Sequence, residues 1–355
     1  MPFNTQSNIL QFQDLRDNND LDITNSLLQK TWPGAVGETA DWPGLCALLV
    51  IVRQIYSMMP SNLRVRDENR KQETTNPILK LAWMPVPKAM TSQYSSLWKV
   101  VRQMLHPYPS KPLPTLWGLF TSSIMTDTLW SREEFLLKDQ RYLSRPASDG
   151  EECQWERGIS DHPKADLAQR SLIIYDGSNS LSEVIASIFG IYGPNDDEID
   201  PSKTHDVMIL FNRPMFIRVL YHPRENTETH RFKDLLTINF EVQEMENNGG
   251  DGSKAVWVQH QYVLIATARP DPENSGRDFV RLYNLDGYII PPESMKGSPI
   301  LSPSWQVGTS SQAYLLVYAR TSPQVKIPPQ NMDETRKIPQ RIRDYQQVID
   351  LLGGG

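Results

Sequence analysis

The chain has 355 residues, 39% of them hydrophobic and 22% charged, with a formal net charge of −6. That length buries a sizeable core in one large domain or about two, and the acidic balance excludes a phosphate-neutralising nucleic-acid surface, which needs clustered Lys and Arg. Only two cysteines occur, Cys46 and Cys153, which excludes a disulfide framework and a thiolate zinc site; the longest apolar run, Leu45 to Val52, is too short to cross a bilayer of roughly 30 Å.

Residues 1–31 are rich in Asn, Asp and Gln and read as a polar N-terminal extension with one short helix. They lack the basic and apolar regions of a signal peptide, so a cytoplasmic or nuclear protein with no membrane contact is expected. Residues 40–145 read mostly as helix. Leu45, Leu48, Leu49, Val52 and Tyr56 fall on one helical face behind Asp41-Trp42-Pro43, a cap-like Asp before a Pro. A second helix is expected over Ser95–Leu105, stopped by His106-Pro107, and a third over Ser131–Asp139.

Ser180 and Glu183 have the spacing of a capping box, Leu181, Val184, Ile185 and Ile188 form one apolar stripe, and Gly190 reads as the stop. From about residue 205 the period becomes two. Met208–Tyr221 reads as a strand. Leu236, Ile238, Phe240 and Val242 alternate with Thr237, Asn239, Glu241 and Gln243, the pattern of a half-buried strand. Val256–Ala268 is a long strand ending before Pro270, and Ala313–Tyr318, apolar on both faces, reads as a central one. Asn247–Gly252 is the turn between two strands. The tail beyond Thr321 is Pro-rich, then polar and helix-prone. A helical half followed by a β-rich half predicts an α+β fold.

Several residues invite chemistry. Cys46 lies about a turn and a half into its helix and is weighed as a nucleophile against plain core packing. His222 and His230 flank a polar hairpin and are weighed as metal ligands against surface histidines. Asp196, Asp197, Glu198 and Asp200 lack the glycine and spacing of a calcium loop and read as a solvated turn. Trp117, Trp130, Trp257 and Trp305 are either core or an aromatic binding surface. No metal site and no cofactor is expected.

The order of short motifs resembles the ubiquitin-specific proteases. Gly37-Glu38-Thr39-Ala40, followed at once by an apolar helix, resembles that family's Gly-Asn-Thr-Cys box, with Ala40 at the place of the nucleophile. Leu113-Pro114 with Leu116, then Glu134-Phe135-Leu136, resemble the segment leading into and through an acidic helix, although Ser131 stands where that motif has Asp. Leu172–Phe189, Arg213–Val219, Lys233–Val242, Tyr262–Ala266 and Ala313–Tyr318 resemble later strands in the family's order. The resemblance covers about residues 32–320 and implies a papain-like cysteine peptidase fold. Its helical thumb would lie at about 32–165, its fingers and palm at about 166–320, and residues 321–355 would form a tail.

A peptidase of this kind needs a thiolate at a helix N-terminus, an imidazole base, an orienting Asn or Asp, and oxyanion donors. The resemblance places Ala40 at the nucleophile, Arg277 of Gly276-Arg277-Asp278-Phe279 at the base, Asn284 or Asp286 at the orienting position, and Ala35 and Glu38 at the oxyanion box. Arg cannot accept a proton at neutral pH, no histidine follows His260, and an ionised Glu38 would repel an oxyanion. The expectation is a pseudoenzyme that binds ubiquitin, a ubiquitin-like protein or another protein. An active cysteine-type deubiquitinase using Cys46, and a scaffold subunit without ubiquitin binding, are the alternatives.

Overall fold

The computed structural model describes residues 14–17, 20–33, 42–64, 66–86, 92–106, 113–137, 141–145, 154–158, 163–192, 207–223, 232–247, 253–269, 279–293, 307 and 313–321. A 3-10 turn at Leu15–Asp17 precedes helices α1 (Leu21–Lys30), α2 (Pro43–Met58), α3 (Ser61–Arg64), α4 (Asp67–Thr75), α5 (Pro77–Ala82), α6 (Ser92–Leu105), α7 (Leu116–Phe120) and α8 (Ser123–Thr126). Strands β1 (Arg141–Arg145) and β2 (Gln154–Gly158) follow. Next come α9 (Lys164–Arg170), β3 (Leu172–Tyr175), α10 (Leu181–Ala186), β4 (Gly190–Tyr192), β5 (Val207–Ile209) and β6 (Phe216–Tyr221). The last elements are α11 (Phe232–Leu235), β7 (Thr237–Asn247), β8 (Ser253–Arg269), β9 (Phe279–Leu282) and β10 (Tyr314–Thr321). The fold is mixed α/β, in two compact units. One draws on residues 1–129 and 265–305, the other on 130–264 and 306–328.

In the first unit α2 is the axis. Pro43 opens it at a position that needs no N–H. Every residue from Gly44 to Ser57 is buried, where the apolar spacing predicted a single inward face. A helix enclosed on all sides must satisfy its polar side chains internally, and it does. Arg53 donates from Nη1 to the Ala82 and Met84 carbonyls at 2.8 Å each, and from Nη2 to the Leu27 carbonyl and the Thr31 hydroxyl at 2.9 Å each. It thereby ties the C-terminal end of α1 to the chain at the end of α5 and just beyond it. Gln54 donates to the Tyr283 carbonyl at 2.8 Å. The expected cap at Asp41 lies outside the described residues; the N-cap position is Trp42, which makes no side-chain cap. Gly44 is required by contact, because a Cβ there would lie 2.6 Å from the Leu116 nitrogen and 2.8 Å from the Thr115 carbonyl carbon.

The segment read as a polar extension contributes α1, capped by the Asp20 carboxylate, with Leu27 and Leu28 buried against α2. Ahead of it Arg16 bridges Asp14 and Glu73 and lies over the Trp83 ring at 5.0 Å.

The second unit holds two sheets. The smaller has the order β2-β1-β5-β4 and is antiparallel throughout. The larger runs β3-β6-β10-β8-β7 and is mixed, because β3 lies parallel to β6 while β10–β6 and β7–β8 are antiparallel. The last residues of β8, Ala266–Arg269, belong to the first unit and pair there with β9. β10 is central and buried from Tyr314 to Ala319, as its two apolar faces predicted. β7 alternates as its sequence does: Ile238, Phe240 and Val242 are buried, Asn239 and Glu241 exposed. The predicted capping box of α10 is present, Glu183 N–H donating to Ser180 Oγ at 3.2 Å and Ser180 N–H to Glu183 Oε2 at 3.1 Å.

Other expectations are corrected. The helix over Ser131–Asp139 is only a 3-10 turn, Glu133–Phe135. Leu137 instead takes tertiary partners, its N–H donating to Ser171 Oγ at 3.0 Å and its carbonyl accepting from Asn212 N–H at 2.9 Å. The strand over Met208–Tyr221 is two strands in two sheets. The crossover between them carries Arg213 at φ 50°, and its carbonyls at Arg213, Pro214 and Met215 accept from Arg320 Nη1, Tyr262 Oη and Arg320 N–H. Gly190 does not end α10; it opens β4 at φ 139°, a conformation that favours glycine. Arg141–Arg145, read within the helical half, is a strand.

Candidate functional site

The positions that the resemblance assigns to a peptidase centre divide into described and undescribed ones. Ala35, Glu38 and Ala40 lie in 34–41 and Arg277 lies in 270–278, both outside the described residues. The first described residue after Ala40 is Trp42. Its indole N–H donates to the Pro114 carbonyl at 2.9 Å, and its ring meets the half-buried His106 edge-on at 6.5 Å. The opening turn of α2 has no acidic residue and no side-chain cap, so no carboxylate in that turn opposes the positive end of its dipole.

Asn284 and Asp286 are described and lie together in the tight turn that ends β9. Asn284 Oδ1 accepts from the N–H of Tyr288 at 2.8 Å and of Asp286 at 3.1 Å, while Asn284 N–H donates to the Tyr288 carbonyl at 2.9 Å. Gly287, at φ 80°, completes the turn, and Ile290 N–H returns to the Leu282 carbonyl at 2.9 Å. These bonds occupy the Asn284 side chain with its own backbone, as an Asx turn does.

Cys46 is fully enclosed, at 0% exposure, and burial pushes its thiol up to about 12. At neutral pH such a group is thiolate in roughly one molecule in 10⁵, and the thiolate is the reactive form. Of the other singled-out residues, Trp130 is buried, Trp117 half-buried and Trp257 exposed, and His222 is exposed. Trp305, His230 and the acidic run 196–200 lie outside the described residues. Among the described residues no group of three or more His, Cys, Asp or Glu has metal-binding geometry, and no helix is long and apolar enough to cross a membrane.

The second unit contains an ionic cluster that sequence reading passed over, built on the buried Glu244 and His260 with the exposed Arg213 beside them. Glu244 of β7 accepts from His260 Nε2 of β8 at 2.9 Å and from Arg213 Nε at 2.6 Å, with Arg213 Nη2 on its other oxygen. Phe211 and Phe240 pack on the imidazole, at 4.9 and 5.7 Å between ring centroids. Burial lowers the His260 pKa below its ordinary value, and Glu244 opposes that shift. The signal was present in the phase of the strand: Glu244 continues the parity of Ile238, Phe240 and Val242, so a carboxylate was bound for the buried face. Arg218 carries a similar signal inside an apolar strand. It is buried, donates from Nη2 to the Ala168 carbonyl at 2.5 Å and stacks over Trp130 at 4.7 Å, and burial lowers its pKa to about 9.

No protein-family model matches the chain, and no curated protein does. Similar solved structures include an essential yeast splicing factor, at 11% identity and TM-score 0.33, over 84% of this chain and 70% of that one. The Ubp8-Sgf11-Sgf73-Sus1 SAGA DUB module is similar at 10% identity and TM-score 0.31, over 85% of this chain and 69% of that one. The Saccharomyces cerevisiae PAN2 pseudoubiquitin-hydrolase is similar at 11% identity and TM-score 0.32, over 86% of this chain and 88% of that one. TM-scores of this size establish neither a common fold nor a common function.

Proposed function

We propose that this chain is a ubiquitin-specific-protease-like pseudoenzyme, with the papain-like thumb, palm and fingers of that family, that binds ubiquitin or a ubiquitin-like protein without cleaving it. The observation that carries the reading is chemical. A methyl side chain, Ala40, stands where the motif order calls for a nucleophile, and Cys46, the nearest thiol in sequence, is enclosed and protonated at neutral pH. Arg277 supplies no base. Without nucleophile and base there is no route to acyl transfer, since losing either partner alone costs several orders of magnitude in rate. Binding needs neither group, so the surface around an emptied centre can persist as a recognition surface.

Two measurements test the two halves of the reading. A ubiquitin carrying a C-terminal electrophile is expected to leave the protein unlabelled; labelling that disappears in Cys46→Ala would show an active cysteine peptidase instead. Calorimetric titration with free ubiquitin is expected to show saturable heat. Its absence at high protein concentration would remove ubiquitin as the partner.

A further inference from the structure

Beyond any site near α2, the outer edge of β7 has the features of a strand-binding site. Among the described residues β7 ends the larger sheet, and its eleven residues pair with β8 in unbroken register from Thr237↔Val263 to Asn247↔Ser253. It contains no Pro and no bulge, two of the devices that keep an edge from accepting another strand.

The direction of each peptide group follows from two hydrogen bonds. Leu264 N–H donates to the Leu236 carbonyl, so the even-numbered peptide groups of this segment face β8. Asn239 N–H donates instead to Ser182 Oγ of α10 at 3.1 Å, so the odd-numbered groups face away from β8. Ser182 therefore covers the edge at Asn239. Among the described residues, the outward groups of the next two odd positions, Glu241 and Gln243, have no such cover.

The side chains beside this edge select the occupant. The sheet face shared by Asn239, Glu241 and Gln243 continues on β8 with their cross-strand partners Gln261, Gln259 and Trp257. Glu241 is its charged member and is exposed; Trp257 is 67% exposed. A carboxylate at the edge and an exposed indole one strand away both favour a cation carried on an extended backbone, the first by charge and the second through its ring face. A second copy of β7 fits poorly, because it would bring a second Glu241 to an edge that already carries one.

We propose that β7, from Glu241 onward, is extended by one strand from a partner protein, an extended segment bearing Lys or Arg on the face of Glu241 and Trp257. Main-chain bonds supply the attachment and the basic side chain the selectivity. The proposal does not depend on ubiquitin binding.

The test is fluorescence anisotropy of a labelled heptapeptide alternating Lys and Val against the full-length protein. Saturable binding is expected. It should weaken at least tenfold when the same peptide is N-methylated at alternate residues, which keeps its charge and blocks one edge. Gln243→Pro removes an outward N–H without touching the β8 ladder and should cost at least tenfold. Glu241→Lys, at an exposed position that leaves the ladder intact, should weaken binding several-fold even if the Pro variant folds poorly. No binding up to 1 mM peptide, or binding indifferent to N-methylation or to Glu241→Lys, overturns the proposal. So does a chain ending at Thr321 that binds tenfold more tightly than the full chain, which would assign the edge to the C-terminal segment. Concentration-dependent dimerisation abolished by Gln243→Pro would assign it to a second copy and also overturns it.

Discussion

His260 shows how burial and pairing compete at one residue. Its ring packs against Phe211 and Phe240 and touches a carboxylate. Burial disfavours the imidazolium and Glu244 favours it, and burial is the larger effect. The folded pKa therefore lies below the unfolded value, near 6.5. Above that value both states are neutral and the full stability is present. As pH falls, the unfolded chain takes up a proton that the folded chain declines, so stability is lost down through the folded pKa. The expected result is a melting temperature that declines on acidification through this window and declines less in His260→Gln. By NMR the His260 ring should titrate below the ordinary histidine value of about 6.5. A His260 midpoint at or above 6.5 would contradict the geometry. Nothing in the sequence around His260 announces this environment except its phase on the strand, opposite Phe240.

At the scale of elements, local chemistry was legible and its termination was not. Ser180 and Glu183 sit three residues apart, and their reciprocal bonds need nothing from elsewhere in the chain. Ser180→Ala should therefore cost about 1 kcal/mol in urea unfolding with an unchanged slope; no change would mean that α10 is held by packing alone. β7 was legible because alternation records which face is buried, and β10 because an apolar run on both faces marks a strand covered on both. The run 131–139 failed because helix-forming residues there are overridden by bonds to Ser171 and Asn212, 34 and 75 residues away from Leu137. Met208–Tyr221 failed because reading it as one strand passes over the Asn212-Arg213-Pro214 interruption, although a Pro behind two polar residues marks a break; in the fold the break is held at Arg213 and Pro214 by partners in β7, β8 and β10.

At the scale of the whole molecule, Cys46 reports on global opening. It lies in a helix buried from Gly44 to Ser57, so local fraying gives no access to it. In a Cys153→Ser background, a thiol-specific reagent should find no reactive group in the native protein and one in urea, and the native labelling rate should follow the unfolding equilibrium. Rapid native labelling would place Cys46 in an accessible site and revive the peptidase alternative. Of the candidate centre itself, the identities of Ala40 and Arg277 are legible in the sequence, because residue identity needs no coordinates. It could not choose between Asn284 and Asp286. In the fold the two share one turn, and Asn284 is committed to that turn's backbone.

By itself the sequence determined what nearest neighbours determine: the capping box, the two-residue period of β7, the stop at the end of β8, and the absence of a sulfur at position 40. The tertiary structure alone decided that α2 is enclosed on every side, that Gln54 reaches a carbonyl 229 residues away, that Glu244 meets His260 and Arg213, and that β7 is left at an edge. The difference is physical. Periodicity and capping follow from side chains within a few residues of one another. Burial of a charge, the end of a strand and the exposure of an edge depend on partners that only the closed chain brings into reach.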